Sequence, residues 1–489
     1  MNAPANTRTE MPAAPLLDTL IEAARIHPGD EAYALTRHGV ATFVAELAHP
    51  TAEPLPAQPW GVDALIAQID QRLSAHVDAI LHHPDVQRLE AAWRSLHFLV
   101  DRTDFRENIR IELVSVSRDA LVDDFETSGE LSRSALYKLL YTSEYGQFGG
   151  QPYAAVISDA SFGPTTRDIA LLDSIARICA VAHAPFIAAA APSFFGLDSH
   201  SELPNLKDLA ALFDGPQYIK WRAFRAAEHA RYVGLALPSM LLRLPYADDT
   251  VPARSFRYTE DVSAGNAAFL WGSAAFAFAS RLSASFAEDR WCANIVGPTG
   301  GGAVGDLPVY TYAALGELQY KIPTEALISE RREFELAEQG FIALTMRKNS
   351  DNAAFFSANS VQKPQQFGTS EEAREAERNH RLGAQLPYMF IVNRLAHYIK
   401  VIQRENIGTW KERADLEGAL NLWIRQYVAD MDNPAPGVRS RRPLRQARIT
   451  VSDVAGDPGW YQVGLQIRPH FKYMGATFTL SLVGRLDKQ

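Results

Sequence analysis

Apolar and polar residues recur along this chain with two different periods, and the switches between them mark out its elements. Near the C-terminus, Ile449 and Val451 alternate with Thr450 and Ser452. Tyr461, Val463, Leu465 and Ile467 alternate with Gln462, Gly464, Gln466 and Arg468, and Phe478, Leu480 and Leu482 alternate with Thr477, Thr479 and Ser481. A period of two puts one row of side chains on each face, so three strands are predicted, the first two parted by Gly456-Asp457-Pro458-Gly459. The last of them can pair within its own subunit or add to the edge of a neighbour's sheet. Periodicity alone favours pairing within the subunit.

Elsewhere the period is that of a helix. Leu16, Leu17, Leu20, Ile21 and Ala24 share a face ahead of His27-Pro28-Gly29, and a second helix is predicted over 39–47, before a linker with Pro50, Pro54, Pro56 and Pro59. Leu65, Ile66, Ile69, Leu73, Val77 and Leu81 form one stripe, and beyond His82-His83-Pro84 the residues Val86, Leu89, Trp93, Leu96 and Val100 form another. A strand over 109–116 and a short helix over 119–125 follow. Residues 153–158, 167–182 and 185–191 read as strand, amphipathic helix and strand, a β-α-β unit whose continuous apolar strands point to a sheet covered on both faces.

Helices are predicted over 206–213, 221–231 and 264–286, and residues 325–347 alternate strand-like and charged segments. Residues 349–385 read as an exposed loop leading into a short helix, and 387–403 as an apolar helix. Leu416, Leu420, Trp423, Ile424, Tyr427 and Met431 then share a helical face over 415–432, with Arg413, Glu417, Asn421 and Arg425 opposite. The fold class is α/β, mixed and multi-domain.

Composition narrows the function. The 489 residues carry 48 basic and 57 acidic side chains, a net charge of −9, which disfavours a general binder of nucleic acid or anionic membrane. Cys179 and Cys292 lie far apart in sequence, which suits a reducing, cytoplasmic compartment rather than a disulfide framework. No run approaches the ~20 apolar residues of a membrane span. Residues 1–14, rich in Ala, Pro, Asn and Thr, read as disordered and lack a signal-peptide pattern.

The candidate chemistry is thin. Gly297-Pro298-Thr299-Gly300-Gly301-Gly302 could bring backbone N–H groups to a phosphate, but neither a following Gly-Lys-Ser/Thr nor dinucleotide spacing is present, so a tight structural loop is the simpler reading. His82 and His83 are adjacent and lack a third ligand at metal-site spacing, which points to a cap or surface pair. His183, at a helix end, reads as a structural histidine and Cys179 as a core residue. Arg439, Arg441, Arg442, Arg445 and Arg448 form a basic cluster suited to an acidic protein partner or to salt bridges within the chain. No catalytic, cofactor-binding or metal-ligating residue is assigned.

Longer segments carry more. DRTDFRENI (101–109), SEYGQFGGQP (143–152), AHAPFIAAA (182–190), PNLKDLA (204–210), ISERREFELAEQGFIALTMRK (328–348), DNAAFFSANSVQKP (351–364), LPYMFIVNRLAHYIKV (386–401) and RPHFKYMGATFTLSLVGRLDK (468–488) resemble the large subunit of the contractile sheath of bacterial type VI secretion, the TssC/VipB family. The resemblance runs from about Leu16 to the last residue. It implies a structural protein, cytoplasmic in a bacterium, with no cofactor and no membrane insertion.

In that family the chain pairs with a small sheath subunit, polymerises helically with copies of itself around an inner tube, contracts to propel the tube, contacts a baseplate, and is recycled by an AAA+ ATPase. The implied organisation is a tail, helix and linker over 1–60, a helical and strand region contacting the small subunit over 61–150, an α/β middle region over 151–325, and a phage-tail-sheath-like core with a mixed sheet, flanking helices and the terminal strand over 326–489. The resemblance reverses the pairing expectation: Thr477, Phe478, Thr479, Leu480, Ser481, Leu482 and Val483 become a strand shared between subunits. It also makes Leu16, Leu17, Leu20, Ile21 and Ala24 the helix read by the ATPase, and Glu417, Asn421, Arg425, Asp430 and Asp432 a surface facing the inner tube. The alternative is an α/β enzyme binding a phosphorylated ligand at the loop over 297–305.

Overall fold

Thr165 starts the segment that organises the fold. Its hydroxyl accepts from the Asp168 amide and caps the helix Thr166–Ala182, while the Asp168 carboxylate accepts from the Gly163 amide just upstream. The helix buries Ile169, Leu172, Ile175, Ala176 and Cys179 and ends at His183, which takes φ 53° as C-cap. On either side lie β1 (Val156–Phe162) and β2 (Phe186–Ala190), paired in parallel as the β-α-β pattern requires. The computed structural model describes residues 27, 29, 33–47, 59–253, 256–314, 316–347, 350–405, 413–431, 434–453, 461–470 and 478–482. They fall into two units, 1–76 and 77–489.

In the first unit the described residues form the helix Tyr33–Leu47 and most of the helix Pro59–Leu81, whose proline stands at its first position, where no N–H is needed. Ile66 and Leu73 are exposed along one line of the latter.

In the second unit, β3 (Val233–Leu237) follows β2 in parallel, and the two-residue strands β4 (Met240–Leu241) and β5 (Trp271–Gly272) pair with each other. Then come β6 (Ala303–Val304), the hairpin of β7 (Tyr310–Ala314) and β8 (Glu317–Lys321), β9 (Phe341–Met346) and β10 (Ala353–Phe355). The central sheet has six strands in the order β1-β2-β3-β9-β10-β6, parallel through β9 and antiparallel beyond.

Neighbouring residues on its strands enter different cores, as the pleat demands. Phe186, Ala188, Leu235, Phe341 and Ala343 pack with the helix Thr166–Ala182. Ile187, Ala236, Ile342 and Leu344 pack with Ala275, Phe278 and Leu282 of the helix Ala274–Asp289. Burial on both faces is why these strands read as unbroken apolar runs.

The third core lies under a separate antiparallel sheet of β11 (Leu444–Asp453), β12 (Tyr461–Pro469) and β13 (Phe478–Leu482). Ile449, Val451, Val463, Leu465 and Ile467 form its inner face, against Ile391, Leu395 and Ile399 of the helix Leu386–Glu405 and Leu420 and Ile424 of the helix Arg413–Ile424.

Sequence expectations change at several places. Within the exposed loop expected over 349–385, Ala353–Phe355 form β10 of the central sheet, and Ala358 and Val361 are buried. Residues 109–116 are extended but pair with no strand. The helix expected over 264–286 starts only at Ala274, after Ser273 as N-cap, because Trp271 and Gly272 pair with Leu241 and Met240. Within 325–347 a helix, Glu330–Glu338, precedes β9. The helix expected over 415–432 stops at Ile424, and a short 3-10 turn, Arg425–Tyr427, leads into extended Val428.

Candidate assembly surfaces

The C-terminal sheet has two unlike edges. Along β11, the Asn421 amide donates to the Ile449 carbonyl at 2.7 Å and accepts from the Ile449 amide at 2.9 Å, while Glu417 accepts from the Val451 amide at 2.9 Å. Two side chains one helical turn apart thus occupy the backbone groups that a further strand would need. On the opposite edge, β13 pairs with β12 from Ile467↔Phe478 to Val463↔Leu482, and among the described residues no strand lies beyond it. In the single chain the terminal strand therefore pairs within its own subunit; Thr477 and Val483 lie outside the described residues.

The same contacts relocate part of the expected tube-facing surface. Glu417 and Asn421 are half-buried and turned to β11, Arg425 and Asp430 are exposed, and Asp432 lies outside the described residues. Leu16, Leu17, Leu20, Ile21 and Ala24 also lie outside them.

The glycine-rich loop is closed on itself. The Gly297 amide donates to the Phe355 carbonyl, those of Gly300 and Gly302 donate to Gly297, and the Phe355 amide donates to Gly302. Gly301 takes φ +97°, and a Cβ there would stand 2.0 Å from the Asn294 carbonyl oxygen. The loop fastens itself against β10, and these three amides are not available to cradle a phosphate. His83 accepts from the Asp85 amide as N-cap of the helix Pro84–Asp101, and His82 Nε2 sits 3.2 Å from Glu260. Of the arginine cluster, Arg441, Arg442 and Arg448 are exposed.

Exposed apolar side chains gather near the start of the second unit. Leu89, Trp93 and Val100 lie along one face of the helix Pro84–Asp101, with Trp93 59% exposed. The segment after it ends in six consecutive exposed residues, 112–117, including Leu113, Val114 and Val116.

Several polar residues escaped the sequence pattern because an isolated charge carries no periodic signal. Arg243 is buried between two carboxylates: Nε donates to Glu90 at 2.9 Å and Nη1 to Glu260 at 2.6 Å, and Arg94 also donates to Glu90 at 2.6 Å. Burial acts against its charge, but these bonds outweigh that and raise its pKa. Arg225 reaches the Glu338 carbonyl and Gln339 behind the helix Glu330–Glu338, and the Val361 carbonyl; burial lowers its pKa to about 10. All of these fasten the frame rather than form a reactive cleft. Among the described residues no helix is long and apolar enough to cross a membrane.

Two domain families match this sequence in succession: VipB (EvpB), tail sheath N-terminal domain, over residues 63–362, and VipB (EvpB), tail sheath gpW/gp25-like domain, over residues 375–486. The chain is also similar to the type VI secretion system sheath protein TssC1 of Pseudomonas aeruginosa, 39% identical over 430 residues that cover 87% of this chain and 86% of that one.

Proposed function

The chain belongs to the VipB/TssC family of large subunits of the type VI secretion sheath, and from that premise we propose how its surfaces work. It is a structural subunit that assembles with sheath partners into a contractile polymer. The observation that best supports a polymer-forming role is the asymmetry of the C-terminal sheet, with side chains bonded along β11 and, among the described residues, no strand beyond β13. In our reading the small sheath subunit docks on the region 61–150, where apolar side chains are exposed. The strand over 477–483 links neighbouring subunits by backbone pairing, which holds them together while rigid bodies rotate.

Arg425 and Asp430 remain available to face an inner tube, and a baseplate caps one end of the polymer. Leu16, Leu17, Leu20, Ile21 and Ala24 form the handle for a recycling AAA+ ATPase in the bacterial cytoplasm. Contraction requires two packings of the same subunits, with the assembled one higher in free energy, so a small bias per subunit sums along the polymer.

Co-expression with the small sheath subunit and negative-stain electron microscopy test this reading. Striated hollow tubes are expected. Uniform discrete particles under every salt condition would overturn it.

A further inference from the structure

Residues 109–116, Ile-Arg-Ile-Glu-Leu-Val-Ser-Val, have the composition of a strand and no strand beside them. The segment runs without turn or bend between Asn108, at φ 58°, and Ser117, which caps the next helix. Among the described residues none of its backbone N–H or C=O groups forms a hydrogen bond.

It is nevertheless held in place beside β1, the edge strand of the central sheet. Ile111 packs on the same core as Ile157, Tyr153 donates to Glu112, and Arg118 donates to the Ser161 carbonyl at 2.9 Å and pairs with Asp168. A fixed extended segment with a full set of unbonded backbone groups is a template for strand addition.

We propose that residues 109–116 are a docking strand that pairs with a β-strand of a different chain of the sheath, its small subunit; this rests on the sheath reading above. Leu113 lies on one face of the segment and Val114 and Val116 on the other, all exposed. Each face therefore presents exposed apolar surface toward the C-terminal end of the segment, beside Arg110 and Glu112 on one of them, and the added strand must bring apolar cover to both. The C-terminal sheet of a second copy does not fit: its outer face is a polar row of Thr450, Ser452, Gln462 and Gln466, which would leave one side of the segment uncovered.

Charge supplies a further condition. The helix Arg118–Ser128 that follows directly exposes Asp123 and Glu126 on the face of Asp119, which Arg167 pairs at 2.7 Å, and β1 exposes Asp159. The matching strand is apolar on both faces and flanked by lysine or arginine.

Hydrogen–deuterium exchange of the full chain, with and without the small sheath subunit, tests the inference. Amides of 109–116 should exchange at near-intrinsic rates in the chain alone and at least tenfold more slowly in co-assembled tubes. Tubes that form while these amides stay fast would overturn the docking strand and leave the sheath reading intact. Protection in the chain alone would assign the strand to a second copy and also overturn it. Absence of both tubes and protection would overturn both readings. Leu113→Pro and Val114→Pro provide an independent readout, since each removes an amide that bonds nothing in the single chain. Each should leave the thermal midpoint of the large subunit within a few degrees, and at least one should reduce co-purification with the small subunit tenfold or more. Wild-type co-purification of both variants would overturn the proposal.

Discussion

Arg243 shows how much a single residue can hold. Its guanidinium is 7% exposed and joins Glu90, from the helix Pro84–Asp101, to Glu260, whose own carboxylate is 1% exposed. Glu260 also accepts from the Tyr246 amide at 2.9 Å. Removing one partner of such a buried pair strands the other charge, so Arg243→Ala should destabilise the chain by about 3–5 kcal/mol, measured by urea unfolding. Replacing Arg243 and Glu260 together by apolar residues should cost far less than the single change, because no buried charge is then left without a partner.

Glu325 makes a prediction about pH. Burial acts to raise its pKa, but hydrogen bonds and charge from His200 and hydrogen bonds from Ser199 and Ser239 outweigh this and hold it at about 2. A carboxyl whose folded pKa is depressed contributes stability above its unfolded pKa, near 4.5, and loses that contribution as pH falls toward 2. The contribution is on the order of 2–3 kcal/mol. Glu325→Gln should flatten this part of the acid-unfolding curve; an unchanged acid limb would count against the assignment.

At the scale of elements, the clearest test is the seal on β11. Asn421→Ala removes both hydrogen bonds to Ile449 and leaves a donor and an acceptor uncovered, at a cost of about 1–3 kcal/mol. It should also create a second extendable edge, visible as concentration-dependent self-association in light scattering.

Elements buried on one face were legible in the sequence. The alternation of β11 and β12 reports a single buried apolar side, whereas the stripe read over the helix Pro84–Asp101 includes Leu89, Trp93 and Val100, which the folded chain leaves exposed. The helix Glu330–Glu338 was not, because its apolar residues are few and its course is set by the Ser329 cap and by buried Arg332 and Glu333. Nor could the apolar stretch from Phe269 to Phe278 reveal where strand gives way to helix, since the deciding pairs, Leu241↔Trp271 and Met240↔Gly272, lie some thirty residues apart in sequence. The candidate surfaces divide in the same way. The strand character of 109–116 was readable from composition, but its lack of a partner is a property of the folded chain alone. The orientation of Glu417 and Asn421 toward β11 was invisible to a helical pattern that placed them simply opposite the apolar face.

For the whole molecule, the predictions concern assembly. A chain ending at Gly475 lacks β13, and we expect it to bind the small subunit while forming no long tubes; tubes of normal length, seen by electron microscopy, would remove the terminal strand from the assembly. Leu20→Asp places a charge on the apolar face of the N-terminal segment. It should permit assembly and block disassembly by the recycling ATPase, followed by loss of turbidity after contraction.

The unlike edges of the C-terminal sheet carry one more consequence. Asn421 and Glu417 occupy backbone groups along β11, and among the described residues no strand lies beyond β13. A neighbour's β11 edge is occupied in the same way, so a strand added at β13 comes from another β13 edge or from a segment outside this sheet, and not from a neighbour's β11. Two side chains on one short helix thus set the valence of the sheet, leaving it a single edge at which to gain a strand.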